Sequence, residues 1–498
     1  MNQLKGFDGE KYIKMQSEHI KERINKFGDK LYLEFGGKLF DDFHASRVLP
    51  GFKPDSKIRM LCAMKDEAEI VIVINAQDIE RNKIRGDLGI TYDQDVLRLI
   101  DAFRAYGLFV SSVVLTRFSG HPNQIAYQEK LKKLGLKVYR HYPIEGYPSD
   151  IQHIASDEGF GKCEYIQTER RLVVVTAPGP GSGKMATCLS QLYHENKRGI
   201  KAGYAKFETF PIWNLPLSHP VNIAYEAATA DLADVNMIDP WHLEAYGKTT
   251  VNYNRDIEIF PVLKGLLDVV LGDSPYKSPT DMGVNMAGFC IENDEVTRIA
   301  SKEEIIRRYY NALTAQRKTG GEEQSIEKLK VLMKSVGVTP EDRKVVIAAR
   351  QKAEETGAPA AAIEVYINNE KKIITGRTSK LLGASSALLL NALKCLAGIP
   401  EEINLISPSV IEPVCELKTG ALGHRNPRLH TDEVLVALSI CAVNDENARK
   451  AINKLGELRN CEVHTSIILS PTDERIFRRL GVNLTQEAQY QTGNLYHP

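Results

Sequence analysis

The chain has 498 residues, of which 43% are hydrophobic and 26% are charged, values typical of a soluble globular protein. Its 64 basic and 64 acidic side chains give a formal net charge of zero. This balance leaves no excess of positive charge that would attract duplex nucleic acid or an acidic membrane surface, so we expect neither as a partner.

The other global features indicate a multi-domain cytoplasmic protein. No apolar run approaches a membrane span, and the first residues, MNQLKGFDGEKY, lack the apolar core of a signal peptide. The eight cysteines are scattered without a C-x-x-C pair, so we predict neither a zinc knuckle nor a disulfide framework, and we assign no metal-binding residue. About three or four domains are expected at this length, and the base rate for large cytoplasmic proteins favours a homo-oligomer.

Residues 1–150 alternate between strand and helix patterns. Apolar, β-branched runs that predict strands lie at 30–35, 69–75, 108–115 and 136–139. Helical stripes with short joins separate the last three of these runs, which is typical of a parallel sheet with crossover helices. We therefore predict a Rossmann-like α/β domain over 1–150.

Three further regions follow. Residues 151–300 continue the alternation and contain a glycine-rich, phosphate-loop-like turn. Residues 301–357 read as a helical arm, with a capping box at Ser301–Glu304 that predicts a helix start. Residues 358–498 combine a predicted hairpin with several helices, which indicates a C-terminal α/β or α+β domain.

The stretch RLVVVTAPGPGSGKMATCLS at 171–190 carries the clearest functional pattern. A short apolar strand, the glycine loop (residues 177–183) and a helix from Lys184 follow one another. Backbone N–H groups of such a loop and of a helix N-terminus bind phosphate, and a lysine adds a point charge. The predicted phosphate-binding residues are Gly179, Gly181, Ser182, Gly183, Lys184 and Thr187, and Lys184 is also a catalytic candidate.

The loop departs from the phosphate-loop pattern at two positions. Pro178 stands where the first glycine belongs, and proline cannot adopt positive φ. Met185 stands where a hydroxyl should bind magnesium, so the metal site is incomplete. The alternative is a tight strand-to-helix turn that uses glycine only for its geometry.

Asp239 and His242 are the catalytic partners predicted for Lys184. Asp239 ends a short predicted strand two elements after the loop strand, where phosphate-loop proteins hold the carboxylate that organises magnesium. In a parallel sheet it would emerge at the same edge as Lys184. The alternative is that Asp239 caps a turn or helix before Pro240.

Two charged loops are further candidates. Arg81, Lys83 and Arg85 follow a buried strand and are predicted to bind substrate, although mixed charges on a loop often form only a solvated salt-bridge surface. The segment 423–430, GHRNPRLH, precedes a helix that Thr431 or Asp432 could cap. It would bind an anion there or be a surface loop.

Five segments carry a resemblance to a known family. The chain resembles an uncharacterised bacterial family, conserved, of unknown function and known from structural-genomics targets. The resemblance covers essentially the whole chain and implies a multi-domain α/β protein without transferring an activity. Residues 180–184 also resemble the loop of adenylate kinases, with departures at Pro178, Met185 and Ala186. The five segments are FDGEKYIKMQSEHI (7–20), NKIRGDLGITYD (82–93), HYPIEGYPSD (141–150), TAPGPGSGKMATCLSQLYHE (176–195) and LHTDEVLVALS (429–439).

Three functional hypotheses remain open at this point. The first is an enzyme that binds a nucleotide or phosphorylated small molecule at 178–187 and carries out phosphoryl transfer or ligation, for which ATP and Mg²⁺ are the candidate cofactors. The second is a non-catalytic, oligomeric sensor or scaffold for a phosphorylated metabolite. The third is an enzyme acting on a phosphosugar or anionic metabolite gripped by the 81–85 cluster.

Overall fold

The computed structural model describes residues 5–85, 88–232, 234–368 and 370–492. These divide into two compact units: the first holds 5–226 and 234–300, and the second holds 227–232 and 301–492. Within the described ranges, no helix has both the length and the apolar character needed to cross a bilayer.

The first unit is built on a seven-stranded sheet in which all neighbours are parallel. The predicted α/β class with a Rossmann-like parallel sheet is thereby confirmed. The strands, in their order across the sheet, are β11 (Gly283–Val284), β8 (Ala202–Phe207), β1 (Lys30–Phe35), β7 (Leu172–Thr176), β2 (Ala68–Asn75), β5 (Phe109–Thr116) and β6 (Lys137–Arg140).

The sequences of the central strands explain why they lie inside the sheet. Strand β2 (AEIVIVIN) and strand β7 (LVVVT) are buried along their whole lengths, as expected where helices cover both faces of a parallel sheet. The helices that begin in this unit are α1 (Gly9–Phe27), α2 (Phe43–Val48), α3 (Ser56–Cys62), α4 (Ala76–Glu80), α5 (Tyr92–Ala105), α6 (Pro122–Lys133), α7 (Ile151–Ile154), α8 (Lys184–Lys197), α9 (Pro220–Ala228), α10 (Pro240–Tyr246), α11 (Asn254–Leu271), α12 (Pro279–Met282) and α13 (Asp294–Thr319).

Two short antiparallel pairs lie outside the main sheet. They are β3 (Ile84–Arg85) with β4 (Ile90–Thr91), and β9 (Asn236–Ile238) with β10 (Val251–Tyr253). They form separate two-stranded sheets in the segments that follow β2 and β8.

The strand order corrects the predicted boundary at residue 150. Strand β7, which comes after residue 150, lies between β1 and β2, which come before it. Regions 1–150 and 151–300 therefore form one core, because each lacks a complete sheet without the other. Regions 301–357 and 358–498 likewise share one compact unit.

The second unit contains a four-stranded sheet in the order β13-β12-β14-β15, in which only β14 and β15 are parallel. Its strands are β12 (Ala360–Ile367), β13 (Glu370–Arg377), β14 (Glu462–Thr465) and β15 (Asn483–Gln486). Its helices are α14 (Glu323–Ser335), α15 (Lys344–Thr356), α16 (Ala384–Leu396), α17 (Pro408–Thr419), α18 (Thr431–Cys441), α19 (Glu446–Ile452) and α20 (Pro471–Leu480).

The predicted helix start at Ser301 is wrong. Helix α13 begins seven residues earlier, at Asp294, and Ser301 is fully buried inside it. A capping sequence marks a helix end only where the chain leaves the helix, and here the preceding residues 294–300 continue the helical turn.

Arg343 is a deeply buried charge of the second unit, with 1% of its surface exposed. Its guanidinium spans the start of α15 and the strands β14 and β15. Each hydrogen bond that the guanidinium donates ends on a carboxylate, a hydroxyl or a backbone carbonyl. These acceptors match its planar, forked arrangement of N–H groups. The acceptors are Glu303 Oε2 (3.0 Å), Glu462 Oε2, Thr485 Oγ1 (3.1 Å), Val463 O (3.1 Å) and Asn483 O (2.8 Å).

We expect Arg343→Ala to lower the free energy of unfolding of the second unit by about 3–5 kcal/mol, because it leaves buried acceptors unpaired. The matched control is Arg350→Ala, whose side chain is 42% exposed and pairs with Glu341 and Glu487. That change should cost about 1 kcal/mol or less. Urea denaturation followed by circular dichroism measures both, and equal losses would contradict the assignment.

Candidate functional site

The glycine loop follows β7 at the centre of the sheet. From β7 the chain crosses through α8 to β8, beyond β1, whereas from β2 it continues to β5 on the other side. Neighbouring strands that send the chain in opposite directions create a crevice at their carboxyl ends, where open α/β sheets bind ligands. The loop therefore lies at the topological switch point of the first unit.

Two side chains from neighbouring strands hold the loop carbonyls. Thr116 Oγ1, at the end of β5, donates to the carbonyl of Ser182 at 2.5 Å. Asn75 Nδ2, at the end of β2, donates to the carbonyl of Gly181 at 3.4 Å. A trans peptide group points its N–H opposite to its C=O. The N–H groups of Ser182 and Gly183 consequently point away from the strand ends.

The backbone N–H groups at 179 and 181–186 donate no hydrogen bond to any residue that the structure describes. The first intrahelical bond of α8 runs from the Thr187 N–H to the Gly183 carbonyl at 3.0 Å. Gly183, at φ +91°, and Gly181, at φ +71°, adopt left-handed conformations that bring these donors together. The result is a row of unpaired donors at a helix N-terminus, which suits an oxyanion.

Two hydroxyls beside the loop also lack a partner among the described residues. Ser182 Oγ and Thr187 Oγ1 are both shielded from solvent, and neither makes a hydrogen bond. A buried hydroxyl without a partner costs about 1–3 kcal/mol, so a ligand oxygen would relieve this cost. Lys184 is half-buried and makes no ion pair with a described residue.

Tyr92 connects the glycine loop to the predicted substrate-binding segment. A Cβ at Gly179 would lie 2.5 Å from the Tyr92 hydroxyl, so any larger residue there would have to displace the Tyr92 ring. Lys83 Nζ lies 4.8 Å from the centre of the Tyr92 ring and 3.5 Å from Asp78 Oδ1. The structure therefore brings Lys83 to the side of the loop.

The two arginines of the same segment are placed differently. Arg85 Nη1 is 2.6 Å from Asp95 Oδ2, and this fully buried carboxylate also binds Arg98. Arg81 is exposed and forms no ion pair within the described part of the chain. Arg85 thus has a structural partner, and Lys83 is the member of the predicted cluster that contacts Tyr92 beside the loop.

Asp239 does not share an edge with Lys184, which corrects the predicted arrangement. Its strand, β9, pairs with β10 outside the parallel sheet. The Asp239 carboxylate is buried and accepts hydrogen bonds from the His242 N–H at 3.1 Å and from the Thr280 N–H and Oγ1 at 3.2 and 2.6 Å. The bond from the His242 N–H caps α10, as the alternative interpretation stated, and the two bonds from Thr280 join the carboxylate to α12. His242 contacts Ser278, with Nδ1 2.9 Å from Oγ.

The helix start after the 423–430 segment is occupied by a side chain of the protein. Asp473 Oδ1 accepts from the Thr431 N–H at 2.8 Å and from Thr431 Oγ1 at 2.9 Å, and its Oδ2 is 3.0 Å from His430 Nδ1. His430, rather than Thr431 or Asp432, is the capping residue of α18. The hydrogen bond to Asp473 raises the pKa of His430. The predicted anion is thus an internal carboxylate.

Sequence reasoning missed a polar cluster across β1 from the loop. The β8 cluster comprises Glu34, Lys206, Glu208 and Asp256. Lys206 Nζ is 2.7 Å from Glu208 Oε1 and 2.5 Å from Asp256 Oδ2, and Glu34 is the register partner of Lys206. Glu34 and Lys206 lie near the ends of β1 and β8, and Glu208 lies just beyond β8, so the rule that ligands gather at the carboxyl ends of strands could have identified them.

Burial governs the ionisation of this cluster. Burial raises the pKa of the Glu208 carboxyl to about 7; Lys206 opposes this rise, and Asp256 and Glu34 add to it. Although burial disfavours its charge, Asp256 and Glu208 raise the pKa of Lys206 above its ordinary value. A carboxyl with a pKa near neutrality can both accept and donate a proton.

The residues present fit a phosphate group better than they fit magnesium. The free N–H groups, Lys184 and the Ser182 hydroxyl supply donors for phosphate oxygens. Met185 supplies no oxygen where a phosphate-loop protein places its metal-binding hydroxyl. Among the residues described, no group of three His, Cys, Asp or Glu side chains is arranged to hold a metal ion.

Comparison with known proteins places the chain in a family. A family model described as "Domain of unknown function DUF1846, N-terminal" matches residues 5–337, and the corresponding C-terminal model matches 341–496. The chain belongs to the DUF1846 family. It is 57% identical over 490 residues to a UPF0371 protein of Streptococcus thermophilus (strain ATCC BAA-250 / LMG 18311), covering 98% of this chain and 99% of that protein.

A second relative shows the same coverage. A UPF0371 protein of Streptococcus pneumoniae (strain JJA) is also 57% identical over 490 residues, with 98% of this chain and 99% of that protein covered. The resemblance to an uncharacterised bacterial family is therefore confirmed over the whole chain. The two DUF1846 models meet after α14, whereas the compact units divide at residue 300.

Gly183→Ala should lower the free energy of unfolding by more than the ~1–2 kcal/mol that a left-handed alanine costs. The added methyl would also lie 3.1 Å from the Thr116 side chain that holds the loop. Gly107→Ala is the control, since Gly107 has φ +73° with open space around it. Urea unfolding compares the variants, and equal losses would show that Thr116 can move without cost.

The stability of Glu208→Gln relative to wild type should depend on pH. Because the folded pKa of about 7 exceeds the ordinary 4.5, the folded state holds this proton more tightly than the unfolded chain does. The stabilisation from Glu208 is therefore complete below pH 4.5 and lost as the pH rises to about 7. Lys206, Asp256, Glu34, Tyr225 and Tyr253 are the groups that face it.

The difference in unfolding free energy, Glu208→Gln minus wild type, should increase across this interval by on the order of 2 kcal/mol and level off above it. Urea unfolding at a series of pH values measures the difference. Glu258→Gln, at an exposed position of α11, is the control and should show no such slope. A flat difference for Glu208→Gln would mean that its carboxyl ionises normally.

Proposed function

We propose that this protein binds a phosphorylated small molecule, with the phosphate group on the glycine loop and the first turn of α8. The observation that carries the proposal is the row of backbone N–H groups at 179 and 181–186 that are unpaired within the described chain. They lie at the switch point of a parallel sheet, where the positive end of a helix favours an anion.

Three further groups favour phosphate over a neutral ligand. Lys184 supplies a positive charge at the helix start without a competing ion pair among described residues. Ser182 and Thr187 supply hydroxyls that need partners. Lys83, beside Tyr92, adds a second cation at the side of the loop.

Transfer of a phosphoryl group from a nucleotide is the more demanding version of this proposal. Met185 leaves the metal position without its hydroxyl, and Asp239 caps α10 at a separate place in the unit. The proposal therefore concerns binding of the phosphate group and does not require phosphoryl transfer. Inorganic phosphate, ATP and ATP with Mg²⁺ are the probes that separate simple phosphate binding from nucleotide binding.

Inorganic phosphate should raise the thermal unfolding temperature in proportion to its occupancy, because it binds the folded state only. Lys184→Ala should weaken phosphate binding about tenfold, the effect of losing one charge-assisted contact. Lys130→Ala, at an exposed position of α6, is the matched control and should leave binding unchanged. Differential scanning fluorimetry with a phosphate titration makes the measurement.

The proposal fails if neither phosphate nor ATP stabilises the wild-type protein at millimolar concentrations. It also fails if Lys184→Ala and Lys130→Ala behave alike. ATP stabilisation that needs Mg²⁺ and exceeds that of phosphate would favour a nucleotide as the ligand.

A further inference from the structure

Arg117, which directly follows β5, has a left-handed backbone with φ +50°. Residues other than glycine rarely adopt this conformation, and asparagine and aspartate tolerate it better than other types. Among the non-glycine residues of the described chain with positive φ, Arg117 is the one that is neither asparagine nor aspartate. The turn after β5 therefore holds an arginine where glycine or asparagine would cost less conformational energy. The other members of that set are Asp41, Asn82, Asn368 and Asn460.

No contact within the described chain explains the choice of arginine at this position. The Arg117 side chain is exposed and makes no hydrogen bond or ion pair with a described residue. Arg140, which ends the neighbouring strand β6, differs in this respect because its guanidinium binds the Glu164 carboxylate. The turn at 117 thus places a guanidinium at the carboxyl end of β5 without a carboxylate from the described chain to neutralise it.

Arg117 lies next to the glycine loop through its chain neighbour Thr116. Thr116 Oγ1 donates to the Ser182 carbonyl at 2.5 Å, and a Cβ built on Gly183 would lie 3.2 Å from the Thr116 Cβ. Consecutive Cα atoms are about 3.8 Å apart, so the Arg117 side chain begins one residue from a group that touches the loop. A side chain as long as that of arginine can reach a ligand bound there.

Three hydroxyls at the loop indicate a ligand independently of the helix end. Ser182 is 4% exposed and Thr187 is fully buried, and neither hydroxyl has a partner among the described residues. Tyr92 is 9% exposed, and its hydroxyl, which lies beside Gly179, likewise bonds to no described residue. Polar groups on such deeply buried side chains are normally hydrogen-bonded, so their missing partners are expected to come from a ligand.

The charges at the loop indicate how many anionic groups this ligand carries. The positive end of a helix is equivalent to about half a unit charge, and Lys184 adds one more. A phosphate monoester carries about −1.5 to −2 at pH 7, so it balances these two contributions. Arg117 adds a further positive charge that this balance does not need. A second anionic group would neutralise it, and the forked guanidinium suits a phosphate or a carboxylate.

We propose that Arg117 binds a second anionic group of the ligand, a phosphate or a carboxylate close to the phosphate on the glycine loop. This inference rests on the proposed function and names the ligand class for the same site, a diphosphate or a phosphorylated carboxylic acid. Lys184 and the loop N–H groups bind the first phosphate, and Arg117 selects ligands that carry the second group.

Isothermal titration calorimetry in a metal-free buffer at neutral pH tests the proposal with two pairs of ligands. Pyrophosphate is compared with inorganic phosphate, and 3-phosphoglycerate is compared with glycerol 3-phosphate, which lacks the carboxylate. In at least one pair, wild type should bind the member with the second anionic group about tenfold more tightly, the gain from one charge-assisted contact. Arg117→Ala should abolish that gain and leave the affinity for the other member unchanged.

Two further variants separate recognition from folding and from net charge. Arg117→Gly relieves the left-handed strain, so it should unfold at the wild-type temperature or above it and still lose the gain. Arg104→Ala, at an exposed position in the last turn of α5, is the matched control. It removes the same charge and should bind every ligand as wild type does. Thermal unfolding followed by circular dichroism compares the stabilities.

The outcomes separate the two proposals. If the phosphate compounds bind but neither second group adds affinity, or if Arg117→Ala keeps the gain, the role of Arg117 is overturned and the phosphate site stands. The role is also overturned if Arg104→Ala loses the gain, or if Arg117→Ala weakens both members of a pair by the same factor. A gain for pyrophosphate alone identifies a diphosphate, and a gain for 3-phosphoglycerate alone identifies a phosphorylated acid. If no phosphate compound binds, both proposals fall.

Discussion

The candidate site depends on how the peptide groups of the glycine loop are turned. Thr116 and Asn75 hold the carbonyls of Ser182 and Gly181 against the ends of β5 and β2. With these carbonyls held inward, the N–H groups that follow must point outward, because the peptide unit is rigid. The two left-handed glycines allow the backbone to make this turn without steric cost. The proposed phosphate recognition therefore rests on contacts from strands that are remote in sequence.

The position of β7 in the sheet determines which residues surround the glycine loop. The strand lies between β1 and β2, so its loop is bordered by residues from both halves of the first unit. On one side lies the β8 cluster, which is acidic, and on the other lies the segment of Lys83 and Tyr92, which carries a cation. The side chains that border the loop therefore differ between its two sides.

Several prominent polar groups serve the fold. The Asp239 carboxylate caps α10, the Asp473 carboxylate caps α18, and Arg85 pairs with the buried Asp95. Each buried charge is matched by donors or by an opposite charge, as the cost of burying an isolated charge requires. The glycine loop and the β8 cluster differ from these three groups, because some of their hydrogen-bond donors and acceptors have no partner within the described chain.

The sequence by itself determined the strand–loop–helix order around Lys184, the parallel α/β class and membership of an uncharacterised family. These follow from local signals: apolar runs, glycine positions and helix stops act over a few residues. Only the tertiary structure decided that β7 enters the sheet between β1 and β2, that Asp239 lies outside that sheet, and that Glu208 joins Lys206 and Asp256. Strand order and side-chain pairing arise from long-range packing, which no local pattern of residues encodes.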